Sequence, residues 1–193
     1  MKLPDKQSSV EAAIAHVKDG DTVMLGGFGV PGTPFTLIHE LVRHGARNLT
    51  IVKNDANEPN MGVDHLLQSG LVSRLITTHL GLNAHAIGLM NSGQLKVEFN
   101  AQGILAERIR AGGAGLGGFL SDIGIGTELA EGKQVLEQNG KTYLVEPALR
   151  ANVALLHAAR ADSFGNLAYV ATARNFNPLM AMAADCVIAE AET

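Results

Sequence analysis

Residues Asp19–Pro34 read Asp-Gly-Asp-Thr-Val-Met-Leu-Gly-Gly-Phe-Gly-Val-Pro-Gly-Thr-Pro, and no other stretch constrains the fold as tightly. Its first half is an apolar strand and its centre is a turn dense in glycine. Thr33 follows as a helix N-cap, with Pro34 at the first helical position. Strand, glycine turn and helix in that order form a unit of α/β sheets. In such sheets ligands sit beyond the carboxyl ends of the strands. Glycines lack Cβ atoms, so backbone can approach a ligand, and free amides at a helix start favour negative charge. Gly26, Gly27, Phe28, Gly29 and Gly32 are therefore expected to line a substrate site.

The remaining pattern extends this unit. A capping box at Ser8–Glu11 opens a helix that uses Val10, Ile14 and Val17. Further helices are expected over 35–44, 62–69, 84–90, 104–110 and 178–183. Strands are expected over 22–25, 48–53, 73–79, 95–100, 141–145, 153–157, 167–171 and 185–189. Alternation of this kind, with strands apolar on both faces, predicts an α/β fold. It is one domain over 1–193, with a mainly parallel sheet flanked by helices. The glycine-rich segment 111–126 is expected to be an irregular loop facing a ligand or an interface. Asn54 and Gln102 join the glycine turn at strand carboxyl ends. Neutral amides suit the holding of a carboxylate or a developing oxyanion.

Composition excludes several functions. A net charge of −4 without a long Lys/Arg run argues against nucleic-acid binding, and 4% aromatic residues leave little for base stacking. No apolar run reaches the roughly eighteen residues of a membrane span, and the N-terminus lacks the apolar core of a signal peptide. Cys186, the single cysteine, cannot build a disulfide, so a cytoplasmic protein with an inert core thiol is expected.

Several motifs are weaker than they look. His39 and His44 are five residues apart where a helical zinc motif needs four, so no metal site is expected. No G-x-S-x-G occurs. His79 and His85 are expected to satisfy local hydrogen bonds, and Glu107, Arg108 and Arg110 to form a solvated charged face. Glu146 ends a strand, where a structural role outweighs a catalytic one. A dinucleotide site is a genuine rival, because Gly27-Phe-Gly-Val-Pro-Gly32 fits G-x-G-x-x-G and Asp55 lies about twenty residues on, where a ribose-binding acid would sit. Against it, Pro31 removes an amide that would face pyrophosphate, and Pro34 delays the helix start past the third glycine.

The stretch Asp19–Pro34 resembles the signature of the alpha subunit of family I CoA-transferases, the 3-oxoacid and acetate group. Asp19, Gly20, Gly26, Gly27, Phe28, Gly32 and Pro34 fit it throughout. The likeness continues through 51–55, 102–115, 161–167 and 173–178, so it covers nearly the whole chain. Asn54-Asp55 and Gly115-Leu-Gly-Gly-Phe119 look most like bacterial acetate/acetoacetate-type enzymes, whereas succinyl-transferring relatives typically show Asn-Asn at the first pair.

The resemblance implies a CoA-transferase-type fold and ping-pong transfer of CoA between a short-chain acyl-CoA and a free carboxylic acid. CoA is then a substrate, and no permanently bound cofactor is implied. The nucleophilic glutamate of this family lies on the beta subunit, so a hetero-oligomer with a shared active site is implied. Asn54 and Gln102 correspond to the alpha-side amides that hold the reacting carboxylates. The alternative within the class is a 3-oxoadipate or succinyl:3-oxoacid transferase. The family's Pro-Gln-Gly turn reads Asn100-Ala-Gln-Gly here, which is expected to loosen it. Alpha subunits of this family usually continue past the last strand, so a C-terminal piece of the family fold is expected to be missing.

Overall fold

The computed structural model describes residues 5–193. The first elements are α1 (Val10–Ile14), β1 (Thr22–Leu25), α2 (Phe35–His44), β2 (Leu49–Val52), α3 (Val63–Gln68), β3 (Val72–Thr77), α4 (Ala84–Asn91) and β4 (Lys96–Phe99). They are followed by α5 (Gln102–Gly113), β5 (Gly118–Ser121), β6 (Val135–Gln138), β7 (Lys141–Pro147) and β8 (Ala151–Ala158). The chain ends with β9 (Arg160–Ala161), β10 (Leu167–Ala168), α6 (Asn177–Ala183) and β11 (Ala184–Ala191).

Six strands form one sheet in the order β11-β8-β1-β2-β3-β4, and every neighbouring pair is parallel. Side chains alternate across it. Val23, Leu25, Ile51, Leu75, Val153 and Leu155 meet Ile14, Leu37, Ile38, Leu41, Leu66 and Ala86 on the face covered by α1–α4. Met24, Val52, Ile76, Ala154 and Leu156 meet Leu105, Ile109, Phe176, Met180 and Ala183 on the face covered by α5 and α6. Burial on both faces is the reason these strands read as unbroken apolar runs. Each such aliphatic side chain contributes about 1.5–3 kcal/mol on leaving water.

The local details differ from the sequence expectations in four places. Ser9, not Ser8, caps α1: its side chain accepts from the Ala12 N–H at 3.2 Å, and the helix ends at Ile14. Thr33 does not cap α2. Its hydroxyl donates to the Gly29 carbonyl at 2.6 Å, Pro34 takes the cap position, and the Leu37 N–H donates to Glu190 Oε2 of β11 at 2.9 Å. A distant carboxylate thus serves the helix start in place of a local hydroxyl.

The segment 111–126 is not one irregular loop. α5 continues through Gly113, and β5 pairs with β7. A Cβ on Gly112 would lie 2.2 Å from the Leu149 carbonyl oxygen, and one on Gly113 would lie 2.7 Å from Met182 Cβ. These glycines let α5 press against α6 and the turn before β8, so close packing overrides their poor helix propensity. Finally, β5, β7 and β6 form a separate three-stranded antiparallel sheet, and the strand expected over 167–171 shrinks to β10, paired with β9. Cys186 is half-buried on β11 and packs against the larger core cluster. Among the described residues no helix is long and apolar enough to cross a membrane.

Candidate active site

From β1 the chain builds outward through β2, β3 and β4, then returns to the other side of β1 with β8 and β11. The order reverses beside β1, which places the expected crevice at the carboxyl ends of the central strands. The turn after β1, the Lys53-Asn54-Asp55 corner after β2, Thr78 after β3 and Gln102 at the start of α5 all gather there.

The glycine turn is built differently from expectation. Four of its amides turn inward. The Gly26 N–H donates to the Leu155 carbonyl (3.0 Å), Gly27 to Asn175 Oδ1 (3.2 Å), Phe28 to the Pro31 carbonyl (3.1 Å) and Gly29 to Asp55 Oδ2 (2.8 Å). Three of its glycines make room for protein. A Cβ on Gly26 would lie 2.0 Å from Asn177 Oδ1, one on Gly27 would lie 2.2 Å from Thr33 Oγ1, and one on Gly32 would lie 2.4 Å from the Ala173 carbonyl oxygen. Only Gly29, at φ +57°, has open space around it. The parts of the turn offered outward are Phe28, 47% exposed, and Val30, 51% exposed.

Asn175 and Asn177 clasp the turn from behind. Asn175 donates to the Pro31 carbonyl at 2.9 Å, and Asn177 donates to the Gly32 carbonyl at 3.1 Å while accepting from the His157 N–H at 3.1 Å. Sequence reasoning did not find this clasp. Its only trace was that residues 19–34 and 173–178 both resembled blocks of one family.

Beneath the turn, Lys53 is fully buried and donates to Asp55 Oδ1 at 3.2 Å. That oxygen also accepts from the Asn57 N–H at 2.9 Å, and Oδ2 accepts from the Asn54 side-chain amide at 3.0 Å besides Gly29. Asp55 is therefore spent inside the protein and does not face a ribose. With the Gly26, Gly27, Phe28 and Gly29 amides inward as well, the geometry does not favour a dinucleotide cradle. Burial opposes ionisation of Asp55, but the Lys53 ammonium and the Gly29, Asn54 and Asn57 donors outweigh it and hold the carboxyl below its ordinary value. Burial pulls the Lys53 ammonium down, against the pull of Asp55.

The structure brings the two predicted amides together. Gln102 Nε2 donates to Asn54 Oδ1 at 2.7 Å, and the Thr78 hydroxyl lies 3.2 Å from the same oxygen. The pair is unequal: Asn54 is fully buried, while Gln102 is exposed. Gln102 opens α5 rather than ending a strand, so it faces solvent from a helix start.

The expected looseness at Asn100-Ala-Gln-Gly is offset by Arg108. This residue was expected in solvent but is 7% exposed, and it donates to Glu98 (2.6 Å), Asn100 Oδ1 (2.6 Å) and the Pro147 carbonyl (3.0 Å). Only Glu107 and Arg110 of that trio pair in solvent, at 2.7 Å. Glu146 is fully buried and holds Lys133 at 2.6 Å. His85 meets Asp64 at 2.9 Å, as expected of a locally satisfied histidine. His44 bonds the Val17 carbonyl and the His39 ring packs against that of His65 at a tilt of 58°. Among the described residues, no three His, Cys, Asp or Glu side chains converge as a metal site.

Next to Gln102, a groove of about 410 Å³ runs between α5 and β5, lined by Ala101, Ile104, Glu107, Phe119, Leu120 and Ile123. On α3, across the sheet from this groove, Asp64 accepts from Asn60, Gln68, Asn83 and His85 and ties the loops after β2 and β3 together. Burial works against its ionisation too, and these donors overcome it.

Asp55 and Asp64 both have folded pKa values below the ordinary 3.8. Their contribution to stability is full above that value and disappears as pH falls through the folded pKa values. Urea midpoints are therefore expected to hold steady from about pH 6 to about pH 4 and to drop below it. An unchanged midpoint at about pH 3 would contradict the assignment.

Comparison with known proteins gives the family. The family model described as "Coenzyme A transferase" matches residues 7–193. The acetate CoA-transferase subunit alpha of Escherichia coli is 45% identical over 97% of this chain and 86% of its own length. The acetoacetyl-CoA:acetate/butyrate CoA transferase alpha subunit of Clostridium acetobutylicum is 47% identical over 91% of this chain and 80% of its own length. Among solved structures, a variant of the decarboxylase AibA/AibB superimposes with a TM-score of 0.84 at 30% identity, covering 99% of this chain and 76% of that one. With the family model matched over residues 7–193 and relatives of 45% and 47% identity covering nine-tenths or more of it, this chain is an enzyme chain belonging to the coenzyme A transferase family.

Proposed function

We propose that this chain is the alpha subunit of a heteromeric cytoplasmic CoA-transferase that moves CoA between a short-chain acyl-CoA and a free acid of the acetate, acetoacetate or butyrate type. The observation that carries the proposal is the exposed Gln102 amide, held on Asn54 at the carboxyl edge of the sheet. The carboxylate nearest to it in the network, Asp55, is buried and fully engaged, so it cannot attack a thioester. Membership of this family implies that the nucleophilic glutamate comes from a beta subunit. The subunit-alpha names of the two relatives support such a partner.

In this reading the partner's glutamate attacks the thioester carbonyl and forms a tetrahedral oxyanion. Collapse expels CoA thiolate and leaves an acyl-glutamyl anhydride. The thiolate then attacks the glutamyl carbonyl, releasing the first acid and leaving glutamyl-CoA. The acceptor carboxylate reverses both steps and departs as the new acyl-CoA. Covalent catalysis of this kind divides one difficult transfer into easier ones. Gln102 supplies a neutral N–H to the carboxylate or oxyanion, and Phe28, Gly29 and Val30 form the wall beside it, backed by Gly26, Gly27 and Gly32.

The test is intact-mass analysis of the complex that co-purifies with this chain. With acyl-CoA present, the second chain is expected to gain the mass of CoA less water, on a glutamate. Absence of that adduct, or loss of CO2 from the substrate in place of CoA transfer, would overturn the reading. Screening acceptor acids separates the acetate type from 3-oxoadipate and succinyl:3-oxoacid types.

A further inference from the structure

Asp55 does more than neutralise Lys53. Its two oxygens do different work: Oδ1 faces the core and takes Lys53 Nζ and the Asn57 N–H, while Oδ2 takes the Gly29 N–H and the Asn54 amide. A carboxylate only accepts, so the Asn54 NH2 must point at it. Asn54 Oδ1 is thereby aimed the other way, at Gln102 Nε2, while the Thr78 hydroxyl beside it donates to the Asn54 main-chain carbonyl at 2.7 Å. Gln102 must then turn its NH2 inward, with one N–H on Asn54 and the second N–H and the carbonyl oxygen left for the site. If Asn54 flipped, its NH2 would face Gln102, and Gln102 would have to flip as well.

We propose that Asp55 is a positioning residue that sets the amide orientation of Gln102 through Asn54, with Lys53 as its buried counter-charge. The proposal rests on the role given to Gln102 above. Lys53 is fully buried, and among the described residues its salt-bridge partner is Asp55 alone. The same Oδ2 pins Gly29, so the glycine turn and the amide pair share one anchor. Among the described residues, the charge that faces Asp55 comes from its own strand end; the other groups on it are neutral amides.

The experiment uses the assembled two-subunit enzyme. Lys53→Met/Asp55→Leu removes the acceptor and the buried charge together. Turnover is expected to fall about a hundredfold, as for loss of one oxyanion donor, with KM for acyl-CoA within about threefold of wild type. In a Gln102→Ala background the same pair is expected to cost at least about fivefold less than in wild type, because the share that runs through the amide is already lost and only the share that runs through Gly29 remains. Lys53→Gln/Asp55→Asn restores an acceptor oxygen without charge and is expected to recover turnover to within about fivefold of wild type.

Wild-type turnover in the apolar pair, or a loss that multiplies with that of Gln102→Ala, would overturn the proposal while leaving the transferase reading intact. Wild-type turnover in Gln102→Ala itself would overturn the role of Gln102 and this proposal with it. Should the apolar pair fail to assemble, the side-chain amide protons of Gln102 in the wild-type complex decide the matter. One protected and one freely exchanging proton is the expected result; two freely exchanging protons would overturn it.

Discussion

Gln102→Ala in the assembled enzyme is expected to lower turnover about a hundredfold, equivalent to roughly 3 kcal/mol of transition-state stabilisation. The residue is exposed at the first position of α5, so truncation empties no core. What the fold loses is one hydrogen bond of 2.7 Å to Asn54, worth about 1 kcal/mol. Melting temperature should therefore shift by no more than about 4 °C, since 1 kcal/mol moves a domain of this size by about 2–4 °C. A donor that acts on the developing oxyanion lowers kcat and kcat/KM together and leaves KM near wild type. Steady-state kinetics with single-turnover checks will distinguish this from a binding role, in which KM alone would rise. Unchanged turnover would remove Gln102 from the site.

The parallel sheet was legible because its strands are buried twice. Runs such as Val23-Met24-Leu25 and Val153–Leu156 have no polar face, and only a sheet covered on both sides accepts them. The position of Asn54 after β2 was legible for a related reason, because strand carboxyl ends are where polar residues break such runs, whereas Gln102 opens α5. Most of the misreadings arise from contacts that local sequence rules do not show. Thr33 looked like a cap because caps are judged locally, yet the α2 amides are served by Glu190 from the last strand. Gly112 and Gly113 looked like loop because their helical role depends on Leu149 and Met182. Arg108 looked solvated because nothing nearby in sequence announces that Glu98, Asn100 and Pro147 close around it. Asp55 looked free to take a ribose because the sequence does not show Lys53 buried beneath it.

Gly32→Ala and Gly29→Ala are expected to differ sharply in stability, and the difference tests what the glycine turn is for. Both residues have positive φ, +75° for Gly32 and +57° for Gly29, so alanine pays a left-handed strain of about 1–2 kcal/mol at either site. At Gly29 nothing lies within 4 Å of the added Cβ, so that strain is the whole cost. At Gly32 the Cβ would meet the Ala173 carbonyl oxygen at 2.4 Å and Asn177 Nδ2 at 2.7 Å, neither of which can withdraw freely. The Ala173 oxygen is backbone, and Asn177 is already committed to the Gly32 and Ala173 carbonyls. Overpacking adds about 1–3 kcal/mol, which brings Gly32→Ala to about 2–5 kcal/mol in all. At about 2–4 °C per kcal/mol, its melting temperature should fall by roughly 10 °C, against roughly 4 °C for Gly29→Ala. Activity should rank the other way relative to stability. Gly29→Ala puts a methyl group on the open side of the turn next to the Asp55 anchor, so it should lose turnover while remaining well folded. Equal melting temperatures for the two variants would mean that the Asn175–Asn177 clasp yields easily, and the glycines would then be present for the ligand after all.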